Sequence, residues 1–241
     1  MTESTARQRL IVALDLPDAA SARGLVASLD GAAGYYKVGL ELAMDPGYFD
    51  LVAWLREQGH QVFCDLKLHD IPATVGRAVS RLADSGANLL TIHAGQQAML
   101  EAAAEASGAG LQVVAVTALT SLDQADLADL GINTPVDELV LRHARRARDA
   151  GPDGVVCSGH EVRRVRAALG PQALAVTPGI RPATNAVGDG DQKRVMTPAA
   201  AIAAGASHIV VGRPIRDAAD PAAAARAIVA EIEQGLAERA A

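Results

Sequence analysis

Short apolar runs alternate with longer segments whose apolar residues recur at helical spacing, from one end of the chain to the other. The runs are Leu10–Leu14, Tyr35–Leu40, Gln61–Leu66, Leu89–Ile92, Val113–Val116, Gly154–Cys157, Leu174–Val176 and Ile209–Val211. Continuous apolar stretches this short fit strands covered on both faces. Between them the pattern predicts helices over Ala19–Leu29, Pro46–Gln58, Pro72–Asp84, Gln96–Ala106, Pro135–Asp149, Glu161–Leu169, Pro198–Ala203 and Pro221–Glu238. Proline recurs where these helices begin (Pro46, Pro72, Pro135, Pro198, Pro221), and a first-turn proline loses nothing by lacking an N–H. Glycine follows several of them (Gly31, Gly59, Gly86, Gly151, Gly170, Gly205), as C-terminal caps do. Eight β-α units with short joints and no linker favour an α/β fold closed as one (β/α)8 TIM barrel. A doubly wound open sheet would want a Gly-rich phosphate loop after the first strand, where Asp15-Leu16-Pro17-Asp18 stands. The barrel domain is assigned to residues 10–241, and the polar residues 1–9 to a disordered tail.

Composition agrees with a single large domain: 241 residues, half of them hydrophobic. Mean hydropathy is +0.15, yet no apolar stretch approaches the ~20 residues that a membrane span needs. The first nine residues hold no apolar signal core. A net charge of −6 argues against a nucleic-acid partner, which calls for a basic face. A cytoplasmic protein with no membrane contact is expected. The two cysteines, Cys64 and Cys157, sit in separate strand-like runs without metal-ligand spacing, so they are expected to be buried thiols and no metal site is expected.

In such a barrel the active site lies at the C-terminal strand ends. There the sequence puts Asp15, Lys37, Asp65 with Lys67, His93, Thr117, Ser158, Pro178-Gly179 and Gly212-Arg213. Strand ends meet water, so each position alone is weak evidence; their convergence is stronger. Alternation along the third strand sets Asp65 and Lys67 on one face, with Asp70 close behind in the turn. A rim ion-pair network is the plain alternative, but it is an inefficient source of stability, and charges collected in a cleft mark catalytic sites. Lysine usage sharpens the choice, for the chain has only Lys37, Lys67 and Lys193 against nineteen arginines. An ammonium can release a proton and a guanidinium cannot. Neighbouring carboxylates keep the lysines protonated, which favours a proton donor over a Schiff-base nucleophile.

Other strand ends suggest phosphate. Gly179, Gly212 and Arg213 fall in the loops after strands seven and eight, the usual phosphate position of this fold. Ile180–Gln192 is long, polar and glycine-containing, as lids are. Thr117, Thr120 and Ser121 offer hydroxyls either to a heterocycle or to the next helix, with Ser121 as a possible N-cap. His93 is as easily structural as catalytic, and Trp54 belongs with Leu51 and Leu55 in a core stripe.

Asp65-Leu66-Lys67-Leu68-His69-Asp70-Ile71-Pro72-Ala73-Thr74, Val176-Thr177-Pro178-Gly179-Ile180-Arg181-Pro182, Asp191-Gln192-Lys193-Arg194-Val195 and Val211-Gly212-Arg213-Pro214-Ile215 together resemble, in this order, the bacterial orotidine 5′-monophosphate decarboxylase family. The resemblance runs from about Leu10 past Ile215. Related sugar-phosphate enzymes share the Asp-x-Lys-x-x-Asp core; the Ile-Pro-x-Thr extension, Leu-Thr-Ser and Asp-Gln-x-Arg-Val distinguish the family. The resemblance implies a decarboxylation of orotidine 5′-monophosphate to UMP in pyrimidine biosynthesis, with no cofactor. It implies Lys67 as proton donor to C6, Asp65 and Asp70 flanking the departing carboxylate, and Lys37 tying the array together and contacting the ribose with Asp15. It implies Thr120 and Ser121 near the pyrimidine, Pro178 as a substrate contact, and Gln192, Gly212 and Arg213 on the phosphate with Arg181 nearby. It also implies a homodimer in which Asp70, Ile71 and Thr74 enter the neighbouring subunit's pocket. Two other functions compete: a keto-sugar-phosphate enzyme needing Mg²⁺, and a non-catalytic nucleotide binder.

Overall fold

The computed structural model describes residues 6–182 and 195–240. Eight parallel strands close in sequence order: β1 (Leu10–Ala13), β2 (Tyr35–Gly39), β3 (Gln61–Leu68), β4 (Leu89–His93), β5 (Gln112–Val116), β6 (Gly154–Val156), β7 (Leu174–Thr177) and β8 (His208–Val211). The seam pairs Leu10 with Ile209 and Val12 with Val211. The helices of the first half are α1 (Ala19–Ser28), α2 (Leu40–Ala43), α3 (Tyr48–Glu57), α4 (Pro72–Asp84) and α5 (Gln97–Ala106). Those of the second half are α6 (Gln124–Asp129), α7 (Val136–Ala150), α8 (Val162–Leu169), α9 (Pro198–Ala204), α10 (Arg213–Arg216) and α11 (Pro221–Ala240).

Two apolar layers hold this ring. Inside, Ile11, Ala13, Tyr35, Phe63, Leu89, Val114, Val176 and Val210 fill the barrel. Outside, the alternate strand residues, among them Leu10, Val12, Val38, Val62, Cys64, Leu90 and Ile92, join the helices in one larger cluster. Each buried leucine, isoleucine or valine there contributes roughly 1.5–3 kcal/mol before entropy is charged, so helix-on-strand packing dominates. In α4 the stripe Val75, Val79 and Leu82 turns inward from a start at Pro72. Gly235 lets α11 lie against α9, since a Cβ there would stand 2.4 Å from the Ala199 carbonyl oxygen.

The three short helices α2, α6 and α10 were not expected, being too short for a periodic pattern to register. Pro46 lies in the turn before α3 and Pro135 occupies the N-cap of α7, so neither is a first-turn proline. Residues 6–9, expected to belong to the tail, make a turn with Ala6 buried and the Arg9 guanidinium donating to the Ser207 carbonyl at 2.8 Å. At the same floor Arg166 donates to the carbonyls of Gly170, Ala173 and Gly205 and to Ser207 Oγ, tying β7 to β8.

Candidate active site

Four charged side chains alternate in sign across the mouth of the first three strands. Lys37 Nζ, on β2, lies 2.6 Å from Asp15 Oδ1 and 3.4 Å from Asp65 Oδ2. Lys67 Nζ donates to Asp65 Oδ1 at 2.9 Å. Lys37 is buried and the Asp65 side chain nearly so. Burial alone would lower the Lys37 ammonium, but Asp65 and Asp15 outweigh it and hold its pKa above the usual lysine range. Burial likewise would raise the Asp65 carboxyl, and Lys37 and Lys67 outweigh that, keeping it below the usual carboxylate range. At an effective dielectric of roughly 20, a unit pair about 4 Å apart is worth about 4 kcal/mol, so each charge is sustained only because its neighbours are present.

Simple alternation does not account for how Lys67 meets Asp65. Between Cys64, level with Leu90, and Leu68, level with Ile92, β3 carries two more residues than β4. The surplus forms a bulge in which Lys67 takes φ +48°, a left-handed conformation costing a non-glycine residue about 1–3 kcal/mol. Thr91 of β4 stands opposite. Its hydroxyl accepts from the Lys67 backbone N–H at 2.9 Å and donates to Asp65 Oδ1 at 2.9 Å. The strand also runs two residues beyond the expected end at Leu66.

A cavity of about 590 Å³ opens over this array, within the size range of small-molecule sites. Asp15, Lys37, Asp65 and Lys67 line one side; Thr120 and Pro178 line it beyond, and Arg181, Gly212, Arg213 and Arg216 border it as well. Phe63, Val116, Val176 and Val210 add apolar surface to its lining. The α10 segment is tied to the first loop, because Arg216 Nη1 donates to the Asp15 carbonyl at 2.8 Å. The loop after β7 is pinned at its base by Met196 N–H donating to Gly179 and Arg181 N–H donating to Met196. Gln192, with most of the expected lid, lies outside the described residues.

Several expected site residues stand apart from this cavity. Asp70 is exposed, its carboxylate accepting the Ile71 N–H at 2.6 Å and making no ion pair among the described residues, so within one chain it does not join the array. Ile71 is 65% exposed, and Thr74 sits in the first turn of α4 near Arg77. Ser121 is exposed and does not cap the next helix; Asp123 does, in a reciprocal capping box with Asp126. The Thr117 hydroxyl is spent on the Val156 carbonyl at 2.8 Å. His93 is packed 5.1 Å from the His69 ring; burial, reinforced by His69 and Lys67, keeps it below the usual imidazole range. Cys64 packs outside the barrel and Cys157 lines the cavity, both buried.

Thr91, Arg216 and Gly39 were not anticipated. The signal for Thr91 was present: it lies two residues from Leu89 and from His93, hence on the inward face of the strand, where it follows the apolar Leu89. Arg216 carried no such signal, since its partner is a backbone carbonyl about two hundred residues earlier.

Residues 8–228 match the family model described as Orotidine 5′-phosphate decarboxylase / HUMPS family. A protein of Rhodopseudomonas palustris named orotidine 5′-phosphate decarboxylase is 53% identical over 228 residues, covering 95% of this chain and 96% of that one. One of the same name from Bradyrhizobium is 51% identical over 236 residues, covering 98% and 96%. The crystal structure of orotidine 5′-phosphate decarboxylase from Lactobacillus acidophilus superposes with a TM-score of 0.81 at 38% identity, covering 93% of this chain and 99% of that one.

Proposed function

The chain belongs to the orotidine 5′-phosphate decarboxylase family, and from that premise we propose that it converts orotidine 5′-monophosphate to UMP in pyrimidine biosynthesis, with Lys67 as the proton donor. The observation that carries the role is the Lys67 ammonium held 2.9 Å from Asp65, which in turn faces Lys37. Loss of CO2 breaks the bond between C6 and its carboxylate and leaves the electron pair on C6. Lys67 then gives a proton to C6; the N–H bond breaks as the C–H bond forms, and the neutral amine regains its proton from solvent. The anion at C6 has no electron sink, so fixed positive charge beside it is what the site offers.

Charge alone falls short. One pair contributes about 4 kcal/mol at an effective dielectric of roughly 20, whereas enzymes reach up to ~23 kcal/mol. The remainder is drawn from binding the remote ribose and phosphate. We assign the ribose to Asp15 and Lys37, the pyrimidine to Thr120 and Ser121, a further substrate contact to Pro178, and the phosphate to Gln192, Gly212 and Arg213 with Arg181 nearby. The position of Gly212 and Arg213 on the cavity wall after β8 supports the phosphate placement.

Asp70, Ile71 and Thr74 are assigned to the pocket of a second copy, in a two-fold dimer. The exposure of Asp70 and Ile71 directly after the Lys67 strand, with Leu40 and Met44 exposed in the neighbouring βα segment, supports this. No helix among the described residues is long and apolar enough to cross a membrane, and the cytoplasm is the compartment we assign.

The test is loss of orotate ultraviolet absorbance on adding orotidine 5′-monophosphate to the purified protein, with and without EDTA. Turnover in both arms is expected. No absorbance change rejects the assignment, and turnover abolished by EDTA points instead to a metal-dependent relative.

A further inference from the structure

We propose that Thr91 is a positioning residue for the proton donor: it holds Lys67 in its left-handed backbone conformation and orients the carboxylate that Lys67 shares. The inference rests on the decarboxylase assignment for its kinetic consequence, but not for its geometry.

The bulge in β3 is where the need arises. Register with β4 is lost between Cys64 and Leu68, so the Lys67 N–H has no regular ladder carbonyl to meet. A buried N–H without a partner is rarely tolerated, and Thr91 Oγ1 takes its place at 2.9 Å. The direction of the second bond follows. An N–H can only donate and a carboxylate can only accept, so the Thr91 hydroxyl proton points to Asp65 Oδ1. One oxygen atom therefore binds the backbone of the donor lysine and the carboxylate that its side chain touches.

The consequence is geometric. Asp65 Oδ1 receives both the Thr91 hydroxyl and Lys67 Nζ, while Oδ2 faces Lys37. Thr91, 1% exposed, is anchored in the central part of a strand paired on both sides, which makes it a rigid reference for a strained segment. Of the described non-glycine residues only Asp30 and Lys67 have positive φ, and only Lys67 lines the cavity. Without the hydroxyl, Lys67 loses the bond that compensates its conformation and is expected to relax toward the extended region, carrying Nζ away from Asp65. Such a shift costs rate more than binding, because the remote phosphate and ribose contacts are untouched.

Thr91→Val keeps shape and removes the hydroxyl; Thr91→Ser keeps the hydroxyl. For the valine variant kcat is expected to fall about 10- to 100-fold with KM changed less than about threefold, and serine is expected to restore kcat to within about threefold of the parent. The crystal structure of the valine variant is expected to show Lys67 out of the left-handed region. Full kcat in the valine variant, or an unmoved Lys67, overturns the proposal, as does a serine variant no better than valine at equal melting temperature. Should the valine variant not fold, Thr91→Ala is read by the same measurements. A parent protein without decarboxylase activity defeats the functional assignment alone, since the position of Lys67 in the variant still decides the role of Thr91.

Discussion

A methyl group placed on Gly39 would stand 3.0 Å from Lys37 Nζ and 3.3 Å from Asp15 Oδ1. Gly39 ends β2 level with Asp65, beside the ammonium that the two carboxylates share. Its backbone, at φ −100° and ψ −167°, is open to any residue, so space and not conformation requires glycine. Gly39→Ala is expected to displace the ammonium by a few tenths of an ångström and lower kcat/KM about tenfold, with the melting temperature nearly unchanged. Steady-state kinetics beside a thermal melt check this; an alanine variant with full kcat/KM shows that the ammonium has room to spare.

Lys67→Ala is expected to retain less than about 1% of turnover, because the interaction it removes is made only in the transition state. The melt should remain cooperative, since the outer apolar cluster is untouched. Retention of more than a few per cent, relative to the parent, denies Lys67 the proton-donor role.

If Asp70 serves the neighbouring pocket, Lys67→Ala and Asp70→Ala proteins, each inactive alone, should complement when unfolded together and refolded. A mixed dimer carries both changes in one site and neither in the other. Equal mixing with random pairing then yields about a quarter of parental activity. Absence of any recovery places Asp70 in its own chain's site or in none.

Arg213→Ala is expected to raise KM about 10- to 100-fold, the range of one hydrogen bond to a charged group, with a smaller change in kcat. Inhibition by UMP offers an independent measure of affinity. Unchanged affinity for the nucleotide moves the phosphate elsewhere.

His208 predicts acid sensitivity far from the chemistry. It begins β8 with its ring edge-on to Tyr35 at 5.7 Å, and its buried Nδ1 has no hydrogen-bond partner among the described residues. Burial, with Arg9 adding to it, lowers its pKa from 6.5 to about 4. The folded pKa lies below the unfolded one, so the unfolded chain binds the extra proton between those limits. The contribution is complete above pH 6.5 and is lost as pH falls toward about 4, in total on the order of 3 kcal/mol. Urea unfolding at pH 7 and near pH 4.5 should show a shallower loss for His208→Gln than for the parent; parallel losses refute it.

Much of this architecture was legible from pattern. The α4 segment begins and ends where Pro72 and the apolar stripe place it, and Cys64 faces outward while Phe63 faces inward, as period-two alternation requires. Alternation then stopped being a guide at Lys67, where two surplus residues changed the geometry. Ser121 looked like a cap because serine favours that place, but Asp123 was also available and Asp126 completed the box.

By itself the sequence determined the eight repeats, the closed parallel ring and the identity of the charged residues at its mouth. These depend on local periodicity and on residue type, which each short segment carries alone. Tertiary structure decided the left-handed turn at Lys67, the bridging hydroxyl of Thr91, the clearance at Gly39 and the separation of Asp70 from its own chain's cluster. Each of these depends on distances between strands far apart in the chain. Such distances follow from register and packing, and no local pattern encodes them.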